Sequence, residues 1–183
     1  MNYSNETILH IDLNKLTQNL NYLKRKLDTN TKIIAVVKAF AYGHGDIEVS
    51  KKLEQLGIYA FWVSDFEEGV NLRKAGIKTK IIVANTGMKS YGKTVKYKLD
   101  VVLYNNALLH LYCSKKNPVN IHLKFNTGMN RYGFNPNMAS SIVSKIKKNR
   151  HLNLLSVCSH LAASNDSSKI DFSLKQIEKF ISI

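Results

Sequence analysis

Six short apolar runs recur along the chain, and amphipathic segments separate them. The runs are rich in β-branched and aromatic residues, which favours buried strands. They cover residues 33–37, 58–63, 80–84, 100–104, 119–125 and 152–159. Strands that alternate with helices at intervals of about 20 to 35 residues are typical of parallel βα units. The alternation therefore predicts an α/β protein built on one parallel sheet.

The segments between the runs carry helix signals. Apolar residues from Ile11 to Leu27 recur mostly three and four positions apart, which predicts a first helix with one apolar stripe. A lysine-rich segment over 89–99 and a last helix ending at Ile183 are also expected to be helical. The predicted caps are Asp46, the capping box Ser64-Asp-Phe-Glu67, Asn105 or Asn106, and Asn135 before Pro136.

A (β/α)₈ barrel fits this rhythm, but such barrels typically need about 250 residues. The chain has 183 residues and six strand-like runs. We therefore expect residues 1–183 to form an incomplete (β/α)₈ TIM-type barrel of about six βα units. An unclosed barrel leaves two sheet edges and an uncovered apolar interior, so lower stability and a tendency to associate are expected.

The formal charge is +14, from 27 basic and 13 acidic residues. The lysines are scattered, and the densest run, over 145–150, lacks interleaved aromatic residues. A solvated basic surface is therefore favoured over nucleic-acid binding. Cys113 and Cys158 have no metal-ligand spacing, so no metal site is predicted. No apolar run approaches 18 residues, so we expect no membrane segment and a reducing, cytoplasmic location.

Lys38 follows the first run directly, at the place where α/β proteins put ligands. Partial desolvation there lowers the pKa of a lysine and favours the free amine, which can form a Schiff base with an aldehyde. The alternative is a lysine that only marks the strand's exit into solvent. The residues alone leave both interpretations open.

Arg131 follows the fifth run, and His160 follows the sixth. In a barrel both would face the same mouth as Lys38. Gly128 and Gly133 permit tight turns around Arg131, whose planar fork suits a carboxylate or phenolate oxygen. A lone histidine is more often structural, but the shared placement of the three groups favours a binding site.

Three segments resemble the N-terminal barrel domain of alanine racemases. They are Lys38-Ala-Phe-Ala-Tyr-Gly-His-Gly45, the segment 122–134, and Ser159-His-Leu-Ala-Ala-Ser-Asn-Asp166. The resemblance implies that Lys38 holds pyridoxal 5′-phosphate as a Schiff base and acts as one of two catalytic bases. It also implies that the Tyr42 hydroxyl contacts the cofactor phosphate.

The same resemblance assigns roles to the other two segments. Arg131 would face cofactor and substrate, Met129 would line the substrate site, and the His160 ring would pack on the pyridine ring. Lys124 matches a strand lysine that is often carbamylated and orients the arginine. The chain departs from the family pattern at two positions, where Phe40 replaces an asparagine and Asn126 replaces an aspartate.

The resemblance further implies a homodimer that interconverts L- and D-alanine and supplies D-alanine for peptidoglycan. A C-terminal β domain, expected beyond this chain, would bring the second base, a tyrosine, into the partner's site. Loss of one base should lower the rate roughly 10²–10⁴-fold. An inactive racemase fragment, a non-racemising cofactor-binding protein and a nucleic-acid-binding protein remain as alternatives, and alanine is not separated from serine as substrate.

Overall fold

The computed structural model describes residues 7–183, which contain a six-stranded parallel sheet. The strands are β1 (Ile34–Val36), β2 (Ala60–Val63), β3 (Lys80–Val83), β4 (Asp100–Leu103), β5 (Val119–Lys124) and β6 (Leu152–Cys158). Their order in the sheet is their order in the chain, and each neighbouring pair is parallel. The predicted fold class, an incomplete α/β barrel of six βα units, is confirmed.

Helices precede, connect and follow the strands. They are α1 (Leu13–Lys26), α2 (Lys38–Tyr42), α3 (Asp46–Gln55), α4 (Phe66–Lys74), α5 (Tyr91–Lys96), α6 (Asn106–Cys113), α7 (Ala139–Lys147) and α8 (Ile170–Ile181). Short 3₁₀ turns lie at Pro136–Met138 and Ser167–Lys169. Within residues 7–183, no helix is both long enough and apolar enough to cross a membrane.

The predicted caps were right at some helices and wrong at others. The Asn105 side chain accepts the Leu108 N–H at 2.9 Å, as expected for the cap of α6. Asp46 does not cap α3 but is its first residue, because Gly45 occupies the cap. The capping box before α4 is displaced by one position, since Asp65 is the cap.

The two faces of the sheet have different partners. On the outer face, β1 to β3 pack with α1, α3 and α4, and β4 to β6 pack with α6 and α7. The inner face carries a small cluster of Ala60, Ile82 and Val102, with Trp62 and Cys158 packed against it. The edge strand β1 leaves the inward-facing Ile34 and Val36 38% and 45% exposed, so this end of the inner face is open.

Candidate active site at the carboxyl edge of the sheet

Strand alternation decides which side chains reach the mouth of the half-barrel. Successive side chains of a strand point to opposite faces, so Ile34 and Val36 share the inner face with Ala60 and Trp62, their register partners in β2. Lys38 lies two residues beyond the end of β1. At the end of β5, Lys124 pairs in register with Cys158 of the inner cluster. Both lysines are half-buried.

The segment after Lys38 folds into a turn of left-handed helix. The φ angles of Ala39, Phe40, Ala41 and Tyr42 are 51°, 55°, 52° and 56°. Such angles cost L-residues about 1–2 kcal/mol each, and runs of several non-glycine residues in this conformation are rare. Strain of this kind is concentrated at functional sites.

The left-handed turn has its own hydrogen bonds. The Gly43 N–H donates to the Ala39 carbonyl at 3.0 Å, and the Gly45 N–H donates to the Phe40 carbonyl at 2.8 Å. The turn brings Tyr42 back beside the lysine that precedes it, so that the Lys38 Nζ lies 5.7 Å from the centre of the Tyr42 ring. The Lys38 amine and the Tyr42 ring therefore lie together beyond the carboxyl end of β1, where Tyr42 is 61% exposed.

Replacing Phe40 by asparagine should stabilise the protein. Phe40 is strained at φ 55° and is 73% exposed, so its ring contributes little burial. Asparagine tolerates the left-handed conformation far better, and we expect a gain of about 0.5–1 kcal/mol in the free energy of unfolding. Urea denaturation of Phe40→Asn would measure it. Tyr22→Asn, which changes an exposed aromatic residue in the right-handed α1, should give no gain, and a gain of equal size there would contradict the explanation.

The pKa values of Lys124 and Cys158 depend on each other, and Arg131 contributes to that of Lys124. Burial is the main cause that lowers the pKa of Lys124. The Cys158 sulfur opposes this shift, and the Arg131 guanidinium adds to it. Burial raises the pKa of the Cys158 thiol to about 11, although the nearby Lys124 opposes this shift. At neutral pH the thiol is uncharged, so it offers no negative partner that would hold the proton on Lys124.

Asn126 organises the loop that carries Met129 and Arg131. Its Oδ1 accepts the backbone N–H groups of Gly128 and Asn130, both at 3.0 Å, and its Nδ2 donates to the Asn130 Oδ1 at 2.8 Å. The turn thus needs an oxygen at position 126 rather than a charge. Met129 is half-buried in this loop, and Arg131 is exposed at its tip.

Gln176 of α8 fixes the loop after β6 by hydrogen bonds. The Gln176 side chain is 1% exposed. Its Nε2 donates to the His160 carbonyl at 3.0 Å and to the Thr127 Oγ1 at 3.2 Å, and its Oε1 accepts the Ala162 N–H at 3.0 Å. One buried amide therefore joins the loops after β5 and β6 and leaves the His160 ring exposed at the rim. Gln176 carries no motif that the sequence analysis could have recognised.

The structure brings some predicted site residues together and leaves others apart. Lys38 and Tyr42 adjoin each other, and Arg131 is near enough to Lys124 to lower its pKa. His160 belongs to the other end of the sheet, because β1 and β6 are the outermost strands. Within residues 7–183, no hydrogen bond or ion pair joins Lys38 to Arg131 or His160, and no cluster of three metal-ligating side chains occurs.

The sequence analysis missed Glu68, whose carboxylate lies behind the left-handed turn. Its Oε1 accepts the Ala39 N–H at 2.8 Å, and its Oε2 accepts the Ser64 N–H at 2.6 Å. A capping box placed one residue later would have pointed to Glu68, because a glutamate at the third helical position commonly bonds back to the chain before the helix.

Together, fold and site define a class: an incomplete α/β barrel with half-buried lysines, Lys38 and Lys124, at the carboxyl edge of its sheet. A family model described as alanine racemase, N-terminal domain, matches residues 11–183. The chain belongs to this family.

Named relatives agree with the family assignment. An alanine racemase of Fusobacterium nucleatum is 38% identical over 177 residues, covering 95% of this chain and 49% of that protein. An alanine racemase of Borreliella burgdorferi is 34% identical over 183 residues, covering 97% and 48%. The solved alanine racemase of Clostridium difficile superposes with a TM-score of 0.87 at 30% identity, covering 93% and 46%. The chain thus spans about half the length of these relatives.

Proposed function

We propose that this chain is the cofactor-binding half-barrel of an alanine racemase, which interconverts L- and D-alanine with pyridoxal 5′-phosphate. The observation that carries the proposal is the strained turn that sets Tyr42 beside Lys38 at the carboxyl edge of the sheet. The family assignment and the names of the relatives support it. Because the chain spans about half of those relatives, the activity of the whole protein is part of the proposal.

The residues at the mouth fit this cofactor. Lys38 offers an amine for the aldehyde, and the exposed Tyr42 hydroxyl offers a donor for the phosphate. Arg131 offers a guanidinium for an oxygen of the ring or of the substrate, and the exposed His160 ring offers a flat face for the pyridine. Met129, half-buried beside Arg131, would line the substrate site.

When bound, pyridoxal 5′-phosphate supplies an electron sink that stabilises negative charge at the α-carbon of the amino acid. Lys38 would take a proton from one face of that carbon or return it, acting as a general base and acid. Arg131 would fix an anionic oxygen, which orients the α-carbon toward the lysine. The second base would come from outside residues 1–183.

The proposal extends to the complete protein and its setting. We infer a cytoplasmic homodimer that takes a small amino acid as substrate and supplies D-alanine for peptidoglycan. The formal charge of +14 suits a phosphorylated cofactor and a carboxylate substrate. The support for alanine as substrate comes from the names of the relatives, and the dimer and the location remain expectations.

Covalent trapping would test the proposal directly. The 183-residue chain is mixed with pyridoxal 5′-phosphate and reduced with borohydride, and its peptides are analysed by mass spectrometry. We expect the label mainly on Lys38, and a label spread over the exposed lysines would refute the proposed site. A parallel assay should find racemisation roughly 10²–10⁴-fold below that of a full-length relative, because one base is missing. Full activity would contradict the assignment of the second base.

Lys124 is expected to carry a carbamate. Its lowered pKa leaves more free amine at a given pH, and that amine can attack CO₂, release one proton and form an anionic N–CO₂⁻ group beside Arg131. Carbon NMR in ¹³C-bicarbonate should show one strong carbamate signal that increases as the pH rises from 7 to 9. Lys124→Gln should abolish the signal, whereas Lys148→Gln, at an exposed lysine, should keep it. A signal unaffected by Lys124→Gln would contradict the assignment.

A further inference from the structure

The Glu68 carboxylate links the ends of two neighbouring strands. Up to Val37 the main chains of β1 and β2 bond directly, since the Val37 N–H donates to the Trp62 carbonyl at 3.0 Å. Beyond that point the left-handed turn diverges from the ladder, and the two oxygens of Glu68 accept the N–H groups of Ala39 and Ser64. Beyond Val37, therefore, the Glu68 side chain links the two chain segments in place of main-chain hydrogen bonds.

The helix beneath holds this carboxylate in place. Glu68 lies in the first turn of α4, and the Oδ1 of the capping Asp65 accepts the backbone N–H groups of Glu67 and Glu68 at 2.9 and 3.1 Å. The Glu68 side chain is half-buried. Its backbone and both of its oxygens are therefore fixed, which makes it a rigid anchor.

The anchored N–H group belongs to the peptide bond that follows Lys38. The Ala39 N–H is the first donor of the left-handed turn, so its bond to Glu68 sets the plane of the Lys38–Ala39 peptide. The direction of the Lys38 side chain depends on that plane. A small error in the placement of a reacting group is costly for catalysis.

We propose that Glu68 is a positioning residue for Lys38: its carboxylate fixes the Lys38–Ala39 peptide so that the amine faces the cofactor aldehyde. The link to the cofactor rests on the proposed function, whereas the anchoring of the turn does not. Glu68 touches neither the cofactor nor the substrate in this scheme and acts only through the turn.

The decisive variant is Glu68→Gln. It keeps the size of the side chain but turns one acceptor oxygen into a donor, so either Ala39 or Ser64 loses its partner. Glu67→Gln is the matched control, because Glu67 lies in the same helical turn, is exposed and makes no side-chain hydrogen bond within residues 7–183. Both variants lose one negative charge at the start of α4.

Two measurements distinguish the proposals. Hydrogen exchange at the Ala39 and Ser64 amides reports the anchoring, and we expect at least a tenfold acceleration at one of them in Glu68→Gln but not in Glu67→Gln. Borohydride trapping reports the cofactor, and the initial rate of labelling at Lys38 should fall at least tenfold in Glu68→Gln alone. Unchanged exchange in β4 and β5 would show that the variant is folded. Should it not fold, Glu68→Asp, which is too short to bridge both amides, replaces it.

Failure of the positioning role and failure of the proposed function give different results. Lys38 labelling at the wild-type rate in a folded Glu68→Gln would overturn the positioning role. A wild-type chain that takes no label at Lys38 would overturn the proposed function and the cofactor role of Glu68 with it, while faster exchange would still establish the anchor. Equal loss of labelling in Glu67→Gln would assign the effect to helix charge instead and so refute the proposal.

Discussion

Lys38→Ala should abolish cofactor attachment at the mouth of the half-barrel. The Lys38 side chain is half-buried just beyond the carboxyl end of β1, and the turn after it sets the centre of the Tyr42 ring 5.7 Å from the Lys38 Nζ. Alanine keeps the strand and the turn but removes the nucleophile. The visible absorbance of bound pyridoxal 5′-phosphate should fall to the level of a protein without a specific site. Any racemisation should disappear with it.

The matched control is Lys51→Ala. Lys51 is an exposed lysine of α3 paired with Glu48 at 3.2 Å, and its replacement changes the net charge by the same amount. It should leave the cofactor absorbance unchanged, because a surface ion pair of this kind contributes little. A Lys38→Ala protein that binds the cofactor covalently as well as the control does would assign the site to another lysine.

The sheet was predictable because burial leaves a clear pattern in the sequence. The run that forms β4 is continuous because both of its faces are covered, and all four of its residues are buried. The spacing of the runs sets the parallel order. The run over 33–37 reads the same way, but the inner face of β1 is open. The period of two then places Lys124 on the inner face, in register with Cys158. Strand ends and helix caps were less certain, because neighbouring residues such as Ser64 and Asp65 compete for the same role.

The local geometry of the site was not predictable from residue types. Nothing in Ala39, Phe40 or Ala41 favours a positive φ, so the left-handed turn is imposed by contacts distant in sequence. The bonds from Glu68 and Gln176 join residues 29 and 16 positions apart, and single-sequence patterns do not encode such pairs. The hydrogen bonds of Asn126, whose Oδ1 accepts two backbone N–H groups of the loop, were likewise not evident from the sequence.

Gly133→Ala should be strongly destabilising. Gly133 has φ +134°, and a Cβ there would lie 2.5 Å from the Asn126 nitrogen and 2.6 Å from the Phe125 carbonyl carbon. Both atoms are backbone and cannot rotate away. The Phe134 N–H donates to the Lys124 carbonyl at 2.8 Å immediately beside them. Relief of the clash would break this connection, so we expect a loss of about 3 kcal/mol or more in the free energy of unfolding.

Gly87→Ala serves as the control, because no atom lies within 4 Å of a Cβ at Gly87 and its φ is not in the left-handed range. Its free energy of unfolding should stay within about 0.5 kcal/mol of wild type. Urea denaturation of both variants would measure the difference. Near-equal stabilities would show that the loop carrying Arg131 can move away from β5, and a guanidinium on so loose a support could not hold a substrate oxygen in a fixed position.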